Sequence, residues 1–209
     1  MAHSAFQTAC GQCATRIREA PKRYVQDNCN YAPFWFERAG KPMSGDHRTL
    51  LIVFHTITGG TEQMAQAALR GAAIEPAVRV RLLRASEAGP DDVLTASGYI
   101  FATPETLASI SGLMKDFFER TYYAVLDRIN GRPYATMVCA GSDGQSACRQ
   151  IERIATGWRL KQIAEPIIVC TRAQTPDEIL APKRITAEQL EPCVELGATL
   201  AAGLGLGMY

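Results

Sequence analysis

The sequence predicts an α/β protein built on a three-layer, doubly wound, five-stranded parallel sheet in strand order 2-1-3-4-5. Short apolar runs alternate with helical patterns of roughly 10 to 15 residues, which is typical of the crossover units of a parallel sheet. Right-handed crossovers then place helices on both faces. The run Val78–Leu83 alternates apolar residues with arginines, and such charge suits an edge strand because it discourages pairing with other sheets. An edge position for the second strand gives the order 2-1-3-4-5.

Five strands are predicted from their apolar and β-branched residues. The first, LLIVFH, has no polar residue before its end, as expected for a strand buried on both faces. The second alternates, and the other three are again short continuous apolar runs. The predicted strands are Leu50–His55, Val78–Leu83, Tyr99–Ala102, Tyr134–Ala140 and Pro166–Cys170.

A helix is predicted after each strand, where apolar residues recur with a period near 3.6. The segment 112–127 is long and amphipathic, whereas 91–96 forms a short helix at most. The predicted helices are 62–74, 91–96, 112–127, 145–157 and 186–203. Every strand is therefore followed by a helix, as a doubly wound sheet requires.

The first 42 residues differ from the rest of the chain. They carry six basic and three acidic residues, a net charge of +3, whereas the remainder carries 16 basic and 18 acidic residues, a net charge of −2. They also show no sustained period of a strand or helix. We therefore expect a folded domain at 43–209. Residues 1–42 are expected to be a poorly structured extension, or the product of a start assigned upstream of the true start at Met43.

Overall composition disfavours several classes of protein. The chain has 209 residues and a net charge of +1, without the basic surface that nucleic-acid binding needs, so no nucleic-acid partner is predicted. No apolar run approaches the roughly 20 residues of a membrane-spanning helix, so no integral membrane segment is predicted. The N-terminus lacks the pattern of a secretory signal, so we expect a cytoplasmic protein with its seven cysteines reduced.

No metal site is predicted. Cys10-x-x-Cys13 and Cys29 invite the idea, but a structural zinc site needs four ligands and the spacing fits no standard motif. The role of these three cysteines stays open. No histidine follows His55, which disfavours a Ser-His-Asp hydrolase because its nucleophile needs a base. No catalytic side chain is predicted either.

The loop after the first strand is the most informative stretch. Its sequence is TITGGT, residues 56–61, and a helix follows. Hydroxyls and backbone N–H groups at a helix N-terminus suit a phosphate. The loop has no Gly-Lys-Ser/Thr and no set of three spaced glycines, which disfavours a triphosphate or a dinucleotide. The pattern indicates one phosphate monoester; the alternative is a turn that merely caps the helix.

This stretch resembles the phosphate-binding motif of the flavodoxin family. The match runs through 14 residues, from two aliphatic residues and an aromatic one to the alanine of the following helix; its members here are Ile52, Val53, Phe54, Thr56, Gly59, Thr61 and Ala65. The resemblance implies that the loop holds the phosphate of FMN. The residues it assigns to that role are Thr56, Ile57, Thr58, Gly59, Gly60 and Thr61.

Two further segments resemble the flavodoxin-like NAD(P)H-dependent FMN and quinone reductases. They are GYIFATP, residues 98–104, and Ser111-Gly112-x-Met114-Lys115-x-Phe117-x-x-Arg120. The resemblance implies that the loop after the third strand contacts the isoalloxazine ring and that the loop after the fourth borders the ring or the ribityl chain. The residues so assigned are Thr103, Pro104, Glu105, Thr106, Ser109, Ala140, Gly141, Ser142 and Asp143.

Glu105 stands out in this set. A carboxylate pointing at the ring would repel the negative charge of a reduced flavin, so we expect Glu105 to face solvent or to pair with a cation. The loop also has no aromatic side chain, which would leave a flavin face open to a nicotinamide or a quinone.

The resemblance implies an FMN-binding oxidoreductase that passes electrons from NADH or NADPH through the flavin to a quinone or another small-molecule acceptor, acting as a homodimer or homotetramer. Two alternatives remain: a flavodoxin-type electron-transfer protein without its own substrate, and a flavin-free interaction module, because a fold alone does not fix function. Arg79, Arg81 and Arg84 could meet the 2′-phosphate of NADPH, but an edge-strand role is the favoured explanation for them.

Overall fold

The computed structural model describes residues 48–209, which contain seven strands and six helices. The predictions made for residues 1–42, including Met43 as a start and the roles of Cys10, Cys13 and Cys29, concern residues outside this part. The strands are β1 (Arg48–Phe54), β2 (Val78–Arg84), β3 (Gly98–Thr106), β4 (Ser109–Ile110), β5 (Pro133–Ala140), β6 (Lys161–Gln162) and β7 (Ile167–Cys170). The helices are α1 (Gly60–Ala72), α2 (Pro90–Thr95), α3 (Gly112–Val125), α4 (Gln145–Gly157), α5 (Pro176–Leu180) and α6 (Ala187–Gly205).

The five longer strands are parallel and lie in the order β2-β1-β3-β5-β7. This confirms the predicted order 2-1-3-4-5, with the arginine-bearing β2 at one edge. The two short strands extend this sheet. β4 pairs antiparallel with the end of β3. β6 pairs with the start of β5, and β7 pairs with the end of β5 on the same side. β6 and β7 together form the opposite edge.

Two separate cores give the fold its three layers. On one face α1 and α6 pack on the sheet through small side chains, and a Cβ at Gly197 would lie 2.0 Å from the carbonyl oxygen of Ala68. On the other face α2, α3 and α4 cover an aromatic cluster, in which the ring of Phe101 lies 5.0 Å from that of Phe118. Aromatic burial of this kind is a large stabilising contribution.

The third strand is longer than its apolar run predicts. It continues past Ala102 and pairs with β5 as far as Pro104. It then forms a hairpin with β4 in which Glu105 lies opposite Ile110. The two turn residues, Leu107 and Ala108, both have positive φ, 51° and 55°, as in the two-residue turns that suit hairpin twist. The predicted loop at 103–106 is therefore an extended, hydrogen-bonded arm.

Candidate functional site

A cavity of about 220 Å³ lies outside the carboxyl ends of the central strands. Strand order reverses between β1 and β3, the position where open α/β sheets bind ligands. The walls come from four segments: the loop after β1, the arm at the end of β3, the end of β5, and the connection between β7 and α6. The lining residues are Thr56, Ile57, Thr58, Gly60, Thr61, Pro104, Glu105, Thr106, Cys139, Ala140, Gly141, Thr171, Ala173, Ile179, Leu180 and Lys183.

The loop after β1 is folded back on itself. The hydroxyl oxygen of Thr56 accepts a 3.0 Å hydrogen bond from the N–H of Gly59. Gly59 has φ +84°, a left-handed conformation that favours glycine, and it is the N-cap of α1. Five of the six predicted loop residues line the cavity, the exception being Gly59.

The start of α1 presents unused donors to this cavity. Within residues 48–209, the N–H groups of Gly60, Thr61 and Glu62 have no acceptor, as expected for the first turn of a helix. Thr61 is 1% exposed, and its hydroxyl has no hydrogen-bond partner in the described part of the chain. A buried hydroxyl without a partner is costly, and a phosphate oxygen would satisfy it. The donor set fits a phosphate monoester.

The arm at the end of β3 contributes Pro104, Glu105 and Thr106 to the cavity wall. Two other predicted residues of this arm do not line the cavity. The hydroxyl of Thr103 is buried 3.1 Å from that of Ser111, and Ser109 donates a 2.8 Å hydrogen bond to the side-chain oxygen of Gln150 on α4. In this structure these two hydroxyls hold the arm in place.

Glu105 points inward, contrary to the expectation that it faces solvent or pairs with a cation. One carboxylate oxygen accepts a 2.8 Å hydrogen bond from the N–H of Gly144, at the start of α4. The other is buried without a partner in the described residues. The reason is local: the helix N-terminus offers N–H donors and a partial positive charge, which stabilise a carboxylate.

The loop after β5 divides into two parts. Ala140 and Gly141 line the cavity, whereas Ser142 and Asp143 are exposed and lie outside its lining. The N-cap of helix α4 is Gly144, which has φ +82° and makes no side-chain cap. A Cβ at Gly144 would lie 2.6 Å from a methyl carbon of Ile168. Gly144 is therefore required both by its backbone conformation and by its packing.

Sequence reasoning missed the fourth wall. Cys139 is the last residue but one of the buried strand β5, and the other missed residues lie on the connection from Thr171 to Thr186, which contains α5. The missed lining residues are Cys139, Thr171, Ala173, Ile179, Leu180 and Lys183. A signal for α5 exists in the sequence Thr-Pro-Asp-Glu at 175–178, because the hydroxyl of Thr175 accepts from the N–H of Glu178 and Glu178 accepts in return. That is a capping box.

Two ionisable groups near the cavity are shifted toward their neutral forms. Burial, aided by the charge of Arg84, lowers the pKa of His55 below its usual value. Burial raises the pKa of the Cys139 thiol to about 11, opposed by the positive charge of Lys183. Cys139 is 8% exposed, so it is a protonated wall residue at neutral pH and not a reactive thiolate.

Two of the three arginines of β2, Arg81 and Arg84, are engaged in ion pairs. Arg81 contacts Asp92 at 2.6 Å, and Arg84 contacts Glu62 at 3.0 Å while lying over the ring of Phe54. These partners account for Arg81 and Arg84 without a nucleotide phosphate. Within residues 48–209, no cluster of three His, Cys, Asp or Glu side chains could hold a metal ion. None of the helices in this part is both long and apolar enough to cross a membrane.

Comparison with known proteins agrees with this geometry. Residues 87–174, somewhat less than half of the chain, match the family model described as NADPH-dependent FMN reductase. A flavodoxin of Aquifex aeolicus is 30% identical over 105 residues, which cover 49% of this chain and 57% of that protein. An NAD(P)H dehydrogenase (quinone) of Acidithiobacillus ferrooxidans is also 30% identical, over 34% of this chain and 46% of that protein. The chain thus spans about half the length of these two relatives.

A solved structure supports the fold itself. A flavodoxin from the domain Archaea superposes with a TM-score of 0.61 at 17% identity, over 75% of this chain and 98% of that chain. Together, the family match, the two relatives and the strand order confirm the predicted resemblance to flavodoxin-like FMN reductases.

Proposed function

Because the chain is a flavodoxin-like protein related to the NADPH-dependent FMN reductases, we propose that it binds FMN and works as an NAD(P)H-dependent oxidoreductase. The acceptor in this proposal is a quinone or another small molecule, in line with the quinone dehydrogenase relative. The proposal assigns FMN binding to the domain at 43–209, in a cytoplasmic homodimer or homotetramer.

One observation carries the proposal: the buried, unpartnered hydroxyl of Thr61 beside the free N–H groups that begin α1. These groups would bind the phosphate of FMN. The left-handed Gly59 and the absence of a side chain at Gly60 let the backbone approach it closely. A Cβ at Gly60 would lie only 2.6 Å from the sulfur of Cys139, so the loop and the end of β5 fit together without spare room.

The other walls would hold the rest of the cofactor. Pro104 and Thr106 on the arm, with Ala140 at the end of β5 and Gly141 just after it, would flank the flavin ring and its ribityl chain. Gln150 fixes the arm by accepting hydrogen bonds from the Ser109 hydroxyl, 2.8 Å, and the Ile110 N–H, 3.1 Å. When bound, FMN would supply the redox chemistry, taking two electrons from NAD(P)H and giving them to the acceptor. The protein binds and orients it.

The test is an anaerobic visible spectrum of the FMN-loaded protein, recorded before and after addition of NADH or NADPH, with dithionite as the positive control for reduction. Bleaching of the flavin by either nicotinamide and its return on addition of a quinone supports the reductase. A protein that neither contains nor takes up FMN contradicts the proposal.

A second candidate is a flavodoxin-type electron-transfer protein, favoured by the match to the Aquifex aeolicus flavodoxin. The same experiment separates the two candidates. A shuttle would hold FMN that dithionite bleaches but that NADH and NADPH leave oxidised, because its electrons come from a protein partner.

A further inference from the structure

The connection between β7 and α6 is fastened onto the loop after β1. The N–H of Lys183 donates a 2.7 Å hydrogen bond to the carbonyl oxygen of Thr58. The side-chain amide of Gln63, on α1, donates to the carbonyl oxygen of Lys183 at 2.7 Å and accepts from the N–H of Ile185 at 3.1 Å. These bonds join segments about 120 residues apart. They hold Lys183 against the proposed phosphate loop.

The side chain of Lys183 begins beside Gly60, at the start of α1, and its ammonium lies at the end of α5. Its Cβ would lie 3.3 Å from a Cβ placed on Gly60, and the residue lines the cavity. Its ammonium donates to the carbonyl oxygens of Ile179 and Ala181, each at 2.9 Å, and to that of Glu178. These three hydrogen bonds therefore fix the position of the ammonium group.

The cavity has opposite charges at its two ends. Among the lining residues Lys183 is the one cation and Glu105 the one anion. Lys183 is bonded to the loop after β1, whereas Glu105 is bonded to Gly144 after β5. Strand β3 lies between β1 and β5, so these loops are separated by two strand spacings, roughly 10 Å.

We infer that Lys183 supplies a positive charge that attracts the cofactor phosphate, acting through its charge because its three N–H donors are already bonded to carbonyl oxygens, and that Gln63 is the positioning residue that keeps it there. The loop after β1 has no charged side chain of its own, and a phosphate monoester carries nearly two negative charges at pH 7. FMN is elongated and carries its negative charge at one end, the phosphate. A cation at one end of the cavity and a carboxylate at the other therefore also fix the direction in which it binds. The inference rests on the proposed function, because it names FMN as the anion.

Comparison of FMN with riboflavin tests it, because riboflavin lacks the phosphate. Dissociation constants of both flavins are measured by fluorescence quenching for the unmodified protein and for K183Q, K183R, Q63A and R184Q, the last an exposed neighbouring cation. K183Q is expected to weaken FMN binding about tenfold, because the positive charge near the phosphate is lost, and to leave riboflavin binding unchanged. K183R should retain FMN affinity, Q63A should lose part of it, and R184Q should match the unmodified protein.

Salt dependence supplies a second readout that needs no variant. In the unmodified protein, the affinity for FMN should fall as NaCl rises from about 0.05 to about 0.5 M, whereas riboflavin affinity should not, since salt screens charge pairs. This readout decides the matter if K183Q does not fold.

If K183Q loses affinity for FMN and riboflavin equally, or loses affinity for neither, the role of Lys183 is overturned while the proposed function stands. An FMN affinity that responds to salt no more than that of riboflavin overturns it too. If the unmodified protein binds neither flavin, the proposed function fails and this inference fails with it.

Discussion

The carboxylate of Glu105 accepts a 2.8 Å hydrogen bond from the backbone N–H of Gly144, and its second oxygen is buried without a partner in the described residues. This contact joins the arm at the end of β3 to the start of α4. It places a negative charge on the cavity wall, beside the position proposed for the flavin ring. The helix N-terminus stabilises that charge, but only one of its two oxygens is bonded.

Replacing Glu105 with Gln is expected to raise the midpoint potential of bound FMN. The amide oxygen can still accept from Gly144, but the charge that opposes electron uptake is gone, so the two-electron potential should become more positive by about 30 mV, equivalent to about 1.4 kcal/mol. The measurement is a dye-equilibrated redox titration. Glu152→Gln, at an exposed position of α4, is the control. A potential that falls in E105Q, or moves equally in both variants, contradicts the assignment.

Replacing Thr61 with Val should weaken FMN binding while stabilising the cofactor-free protein. Valine has nearly the same shape but removes a buried hydroxyl that lacks a partner, and removing such a group adds about 1 kcal/mol to the free energy of unfolding. FMN affinity should fall about tenfold because one hydrogen bond to phosphate is lost. Urea unfolding and FMN titration measure the two effects.

Thr121→Val is the matched control for that experiment. Thr121 is equally buried but donates to the carbonyl oxygen of Phe117 on α3, away from the cavity lining. Its replacement should leave FMN affinity unchanged and should not stabilise the protein. A T61V variant that behaves like T121V would remove the reason for assigning Thr61 to the phosphate.

Replacing Gly60 with Ala should destabilise the domain, even though alanine usually favours a helix. The new Cβ would lie 2.6 Å from the sulfur of Cys139 and 3.3 Å from the Cβ of Lys183, and overpacking of this kind costs about 1–3 kcal/mol. The double variant G60A/C139A should recover much of the loss. Gly112 is the first residue of α3, as Gly60 is of α1, but a Cβ placed on Gly112 has no atom within 4 Å. Gly112→Ala should therefore not destabilise the domain. If G60A is as stable as G112A, the packing described for the loop is wrong.

The sequence was sufficient to predict the strand order because the composition of the strands distinguishes central strands from edge strands. The run LLIVF, residues 50–54, is apolar throughout, which predicts a central strand, whereas Val78–Leu83 carries arginines on one side, which predicts an edge strand. Gly59 and Thr61 likewise lie in a local motif that determines its own conformation. Ten of the fifteen predicted site residues line one cavity, because parallel strands end at the same edge of the sheet.

The missed features depend on contacts between distant segments. Lys183 reaches the cavity through hydrogen bonds to Gln63 and Thr58, which no local pattern reports. The inward orientation of the Glu105 side chain depends on the position in space of the N-terminus of α4, which local sequence does not predict. The hairpin after Pro104 has Leu107 and Ala108 at its turn, where the usual signal would be Asn or Gly.

That turn supplies a stability prediction. Both residues have left-handed φ without being glycine or asparagine, a conformation that costs about 1–2 kcal/mol per residue. The variant L107N/A108G should therefore be more stable, and each 1 kcal/mol should raise Tm by about 2–4 °C for a domain of this size. Ala181→Gly, at φ −63°, provides a comparison that should gain nothing. A double variant that melts at or below the Tm of the unmodified protein would show that the turn is not strained.

If the end of β1 and the start of α1 form a phosphate-binding site for FMN, the cofactor-free protein should bind FMN in an equilibrium titration. Flavin fluorescence follows binding. We expect one FMN bound per chain with a Kd below about 1 μM, equivalent to about −8 kcal/mol. Absence of quenching at FMN concentrations of about 100 μM, roughly a hundredfold above that Kd, would contradict it.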